Sequence, residues 1–64
     1  MKYFKRYTGN SVSIVDALKS IGENSSFEYR SRIARINNIN NYYGTSYQNT
    51  KLLNLLKEGK LIKP

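Results

Sequence analysis

Neither a cysteine nor a histidine occurs among the 64 residues of this chain. A fold of that length then has no disulfide and no Cys/His metal site to staple it, so it must rest on one small apolar core and on well-ended helices. The same absence removes the thiolate nucleophile, the imidazole base and the usual transition-metal ligands. It leaves the redox compartment open, because a cysteine-free domain works on either side of a membrane. A single module over residues 1–64 is the only organisation that this length admits.

Turn and cap signals divide the chain. Residues 2–7 alternate, with Tyr3, Lys5 and Tyr7 on one side and Phe4 and Arg6 on the other, and predict a short strand. Thr8, Gly9 and Asn10 break it. Ser13-x-x-Asp16 has the form of a capping box, and Ile14, Ala17, Leu18 and Ile21 follow at helical spacing up to Gly22, the expected left-handed residue past the helix end. Ser25-x-x-Glu28 predicts a second N-terminus. Phe27, Ile33 and Ala34 mark the buried stripe of that helix, and Arg30 and Asn37 fall inside it.

A polar residue on a buried face has to satisfy its donors. Arg30 is therefore expected to hold loop carbonyls or a carboxylate, Asn37 to pin the helix end, and Asn38 to take the left-handed position after it. Residues 37–44 are dense in turn formers and predict a surface loop. Thr45-x-x-Gln48 opens a third helix with Leu52, Leu53, Leu55 and Leu56 on its apolar face, and Gly59 ends it. Residues 60–63 predict a second strand. The fold class expected is thus α+β, with the order strand, helix, helix, helix, strand and the two terminal strands paired together, since a lone edge would stay unsatisfied.

Catalysis is not expected of this chain. Its four acids are Asp16, Glu23, Glu28 and Glu58, and Asp16 and Glu28 are assigned to helix first turns. A glycosidase needs two carboxylates across the scissile bond, a metallohydrolase needs clustered ligands, and a serine nucleophile needs a base. No cofactor and no metal site is expected.

Eleven Lys and Arg against those four acids give a net charge of +7, which draws the chain toward polyanions. Six of the eight aromatics are Tyr, and Tyr42, Tyr43 and Tyr47 cluster before the third helix. A tyrosine offers an apolar ring with a hydrogen-bonding tip, which suits sugar faces, bases and protein surfaces alike. About half of the rings are expected to fill the core, Phe27 and Phe4 first. Arg32 and Arg35, three apart, share the outward side of the second helix. The ligand-binding candidates are therefore Tyr42, Tyr43, Tyr47, Arg32 and Arg35. No apolar run approaches the ~20 residues that span a bilayer, and a membrane is not an expected partner.

The string SIVDALKSIGENSSFEYRSRIARINNI, a tyrosine-containing link and then GTSYQNTKLLNLLKEGKLIKP resemble the C-terminal cell-wall-binding domain of phage endolysins and autolysins of clostridia and related Gram-positive bacteria. The resemblance runs from Tyr7 to Pro64. That family has a glycine where this chain has Asn38, a change that the left-handed tolerance of asparagine absorbs. The element order is also similar to the LysM plan with an added helix. The resemblance implies a non-catalytic targeting module, joined to an upstream peptidoglycan hydrolase, made in the host bacterial cytoplasm and acting at the wall after release.

Three readings stay open at this level. The first is binding to peptidoglycan or an associated anionic wall polymer through the tyrosines and nearby cations. The second is self-association as a homo-oligomer, which would help so small a core. The third is nucleic-acid binding by a basic helical unit; it ranks last, because the link before the third helix is long where a helix-turn-helix has a tight turn.

Overall fold

The computed structural model describes residues 1–64. It contains three helices, α1 (Ile14–Ser20), α2 (Phe27–Ile36) and α3 (Ser46–Lys57), and no β-strand. None of the helices is long and apolar enough to cross a membrane.

Each helix starts on a hydroxyl. Ser13 Oγ accepts from the Asp16 amide, Ser26 Oγ from the Tyr29 amide, and Thr45 Oγ1 from the Gln48 amide, which occupies an otherwise orphaned helix N–H. The second cap is one residue later than the Ser25/Glu28 pattern predicts. The Ser25 carbonyl accepts from Arg30 Nε at 3.1 Å, which holds Ser25 in the loop. Only Thr45 and Gln48 form the full reciprocal box. At the other two starts the backbone N–H of the capping serine turns to a residue two positions earlier, Ser13 to Ser11 Oγ and Ser26 to Asn24 Oδ1.

All three helices end in the same motif. The residue after each C-cap has a left-handed backbone: Gly22 at φ 77°, Asn38 at 64° and Gly59 at 71°. The next amide reaches back to a helical carbonyl, Glu23 to Leu18, Ile39 to Ala34 and Lys60 to Leu55. This is the Schellman arrangement, which satisfies carbonyls that the helix itself leaves open.

The core is Phe4, Ile14, Ala17, Leu18, Ile33, Ala34, Leu52, Leu53, Leu56 and Leu61, and no polar or charged residue is buried. α1 packs on α3. Phe4 is 3 % exposed, but Phe27 is 48 % exposed, contrary to its expected place in the core. As the first residue of α2 it precedes the buried face, and its ring instead leans on Tyr42 with centroids 5.5 Å apart. Tyr29 does the inward work, meeting Phe4 edge-on at 6.4 Å.

The expected α+β class is overturned at the termini, and with it the likeness to the LysM plan. The two end segments meet in one isolated antiparallel bridge, Tyr3 to Ile62. Phe4 N–H donates to the Leu61 carbonyl and Lys63 N–H to the Lys2 carbonyl, while the return bonds that would extend a ladder are not formed. Helix ends direct these segments. Lys60 is turned by its bond to Leu55 of α3, and the Tyr7 amide leaves the partner segment to donate to the Leu56 carbonyl. On its other side Ile62 is held by a side chain, donating to Asn37 Oδ1 at 2.9 Å and accepting from Asn37 Nδ2 at 3.0 Å. A longer ladder would also align Lys2, Lys5 and Arg6 with Lys60 and Lys63, and like charges facing one another are destabilising.

One ion pair, Lys63 Nζ to Glu23 Oε2 at 2.9 Å, ties the C-terminal segment to the turn after α1. The hydrogen bond and the charge of Glu23 raise the Lys63 amine above the ordinary lysine value.

Candidate polyanion-binding surface

The inner half of α2 is a rigid platform. Arg30 reaches across from it to the link before α3: besides Ser25, its guanidinium donates to the Tyr42 hydroxyl at 2.9 Å and to Asn49 Oδ1 at 3.4 Å. The Tyr42 hydroxyl also donates to Asn49 Oδ1, and Asn49 Nδ2 donates to the Gly44 carbonyl. The guanidinium carbon lies 5.9 Å from the Phe27 ring centroid and 6.0 Å from that of Tyr42, within cation–π range. Arg30 thus sits beside the Phe27–Tyr42 ring pair and joins the start of α2, the link and α3.

Arg30→Met keeps much of the stem but strands the Ser25 carbonyl and the Tyr42–Asn49 pair. A loss of about 2 kcal/mol is expected, the range for hydrogen bonds to a charged donor. Urea unfolding followed by tyrosine circular dichroism measures it, and an unchanged midpoint would refute the platform role.

The outer half of α2 is open. Arg32 and Arg35 are exposed, and neither forms an ion pair, the one in the molecule being between Lys63 and Glu23. Arg32 lies over the Tyr29 ring at 5.7 Å. Two hollows flank this face. One, of about 450 Å³, is lined by Ser31, Arg32, Arg35, Ile36 and Pro64. The other, of about 290 Å³, is lined by Ser31, Arg35, Ile39, Asn40, Asn41 and Tyr42. Ser31 and Arg35 belong to both and form the ridge between them, as positions four apart on one helix must.

The five candidate ligand residues are therefore not one patch. Arg32 and Arg35 share the larger hollow, and Arg35 and Tyr42 share the smaller, where the Tyr42 hydroxyl is already committed to Arg30 and Asn49. Tyr43 and Tyr47 line neither. They stand 74 % and 73 % exposed, Tyr43 in the link and Tyr47 in the first turn of α3, with Lys51 Nζ 5.6 Å from the Tyr47 ring. Of the polar candidates, Asn37 bonds the Ile33 carbonyl and both backbone groups of Ile62, and Asn38 holds its left-handed backbone. Sequence reasoning passed over Ser31, Ile36, Asn40, Asn41 and Pro64. Ser31 had a signal in its spacing from Arg35, whereas Asn40 and Asn41 read as turn formers and Pro64 as a chain end.

No group of three or more His, Cys, Asp or Glu is placed to hold a metal ion. No family model, curated protein or solved structure matches the chain. Together with the strand-free fold, this overturns the resemblance to the cell-wall-binding domains of clostridial phage endolysins and autolysins, and the identity as a lysis protein that came with it. What stands is a small three-helix domain.

Proposed function

We propose that this domain is a non-catalytic attachment module, which holds the protein that carries it on an anionic polymer of the bacterial cell wall. The observation that carries the reading is the outer face of α2, where Arg32 and Arg35 stand exposed and without ion pairs in a hollow that is also lined by apolar Ile36 and Pro64. Wall polymers alternate acidic groups with hydroxylated units. Guanidinium forks recognise the acid, and their apolar stems and neighbouring rings cover the rest. Tyr43 and Tyr47 offer further ring faces to a ligand longer than one hollow.

The acids favour binding over chemistry. Asp16 and Glu28 lie in helix first turns, Glu23 is paired with Lys63, and Glu58 caps α3. The residue 37–45 link between α2 and α3 departs from the tight turn of a DNA-reading helix pair.

Retention on purified Gram-positive walls, with and without their teichoic acids, tests the reading. The Arg32→Gln/Arg35→Gln variant is expected to lose roughly tenfold in affinity, equivalent to about 1.4 kcal/mol. Lys19→Gln/Lys57→Gln, with the same change in net charge elsewhere, should lose much less. Walls that retain the domain no better than unrelated particles, or equal losses in the two variants, would refute it. A mixture with walls should release no soluble sugar or peptide, and such release would refute the non-catalytic part.

A further inference from the structure

The smaller hollow carries a more specific assignment, which rests on the wall-binding reading above. Four of its lining side chains have unspent hydrogen-bonding groups. The Arg35 guanidinium, the Ser31 hydroxyl and the amides of Asn40 and Asn41 make no hydrogen bond within the molecule, although the Asn41 backbone carbonyl does accept from Gln48 Nε2 at 2.9 Å. Among the other asparagines, Asn37 and Asn49 spend their carboxamides in holding the framework together, while Asn38 and Asn54 are exposed but line neither hollow.

The walls that present these free groups are fixed. Tyr42 is locked by Arg30 and Asn49, Ile39 by its bond to Ala34, and Asn41 by a left-handed backbone at φ 56° together with Gln48. Such a site is organised before its ligand arrives, which lowers the cost of binding.

We infer that this hollow is the subsite for one hydroxylated unit of the polymer, with the acidic group of that unit on Arg35 and its hydroxyls on Asn40, Asn41 and Ser31. The chemistry of the lining selects this class. A guanidinium takes a phosphate or carboxylate in bidentate fashion, and carboxamides both donate to and accept from hydroxyls. At about 290 Å³ the space falls just below the ~300–1,000 Å³ of pockets that enclose drug-sized ligands, which suits a single unit. Because Arg35 and Ser31 also border the larger hollow, the chain of the polymer continues over the ridge, and its less polar portion lies against Ile36 and Pro64.

Two probes distinguish the sources of the acid: a short glycerol-phosphate oligomer, and an N-acetylhexosamine disaccharide carrying a free lactyl carboxylate. Each is titrated to about 10 mM, tenfold above a 1 mM Kd, while the backbone and side-chain NMR signals are followed. At least one probe should move the Asn40 and Asn41 carboxamides and Arg35 Nε. Binding of the oligomer alone assigns a phosphodiester, and binding of the disaccharide alone a carboxylated sugar. Arg35→Gln should weaken the interaction by roughly tenfold, and Asn41→Gly, which keeps the left-handed backbone and removes the carboxamide, by roughly threefold.

Retention on walls with no movement at Asn40 and Asn41 from either probe, or with shifts confined to Tyr43 and Tyr47, would overturn the subsite and leave the wall-binding reading. An Asn41→Gly domain that binds like the parent would also overturn it. Probe binding in the hollow without retention on walls would uphold the subsite and sink the wall-binding reading.

Discussion

Leu18→Ala is expected to lower the unfolding free energy by about 3 kcal/mol, within the ~2–5 kcal/mol range for removing a leucine from a close-packed interior. Leu18 is completely buried on α1. That helix has seven residues, too few to be helical alone, since isolated helices below ~12–15 residues are marginal in water. Its buried residues are Ile14, Ala17 and Leu18, with Val15 packed partly buried against the core, and Leu18 is the largest of the three that is fully covered. At roughly 0.05–0.15 kcal/mol per residue, the 64 residues hold about 3–10 kcal/mol in all. The substitution therefore removes roughly a third of that stability at the upper end of the range and nearly all of it at the lower end. Urea melts at 25 °C measure the loss, with Leu55→Ala, at a partly buried site on α3, expected to cost clearly less. A Leu18→Ala loss below that of Leu55→Ala would contradict the assignment of the core.

Asn37→Ala is expected to cost about 2–3 kcal/mol, through three hydrogen bonds each worth ~0.5–1.5 kcal/mol and the partners left without them. One carboxamide completes α2 by donating to the Ile33 carbonyl at 2.8 Å, and it stands in for a neighbouring strand by serving both the N–H and the carbonyl of Ile62. Its removal frees the residues that carry Leu61 into the core. The distinctive outcome is local. Amide exchange at Ile62 and Lys63 should accelerate beyond the global change, whereas the Gly44 to Gln48 region, held by Arg30 and the Thr45 box, should follow global stability only. Uniform acceleration would mean that Asn37 only ends its helix. Asn37→Asp should retain the bond from the Ile62 amide and lose both donations, giving an intermediate loss.

The helices were readable because their signals are local. A hydroxyl at the start and a residue that tolerates positive φ at the end act within one turn, so Ser13, Thr45, Gly22, Asn38 and Gly59 could be placed from spacing alone. Ser25 and Ser26 could not be separated that way. The choice falls to Ser26 because Arg30 takes the Ser25 carbonyl, a contact that depends on where Tyr42 and Asn49 lie. Phe27 was misplaced for a related reason. Its spacing fits the stripe, but a ring on the first residue of a helix is free to lean outward, and Tyr42 offers it a surface there.

The candidate site was half legible. Arg32 and Arg35 recur three apart on an outward face, and periodicity reveals that much. The tyrosines did not sort themselves, because burial of a ring in a loop follows from the neighbours it meets and not from its own spacing. Tyr42 turns in to Arg30, while Tyr43 and Tyr47 stay out.

Residue order alone determined three capped, amphipathic helices, a small apolar core and a surplus of positive charge, since each follows from interactions within a turn or from composition. Tertiary structure decided the termini. Alternation in residues 2–7 and 60–63 is compatible with a strand, but a strand exists only where another backbone accepts its hydrogen bonds in succession. Here α3 sets the direction of one segment and Asn37 occupies the outer side of Ile62, so a single bridge forms. Asn40 and Asn41 stand beside Arg35 because the turn after α2 folds back on the helix and Tyr42 is anchored on Arg30 and Asn49. Distances between residues far apart in the chain are products of packing, and no local pattern encodes them.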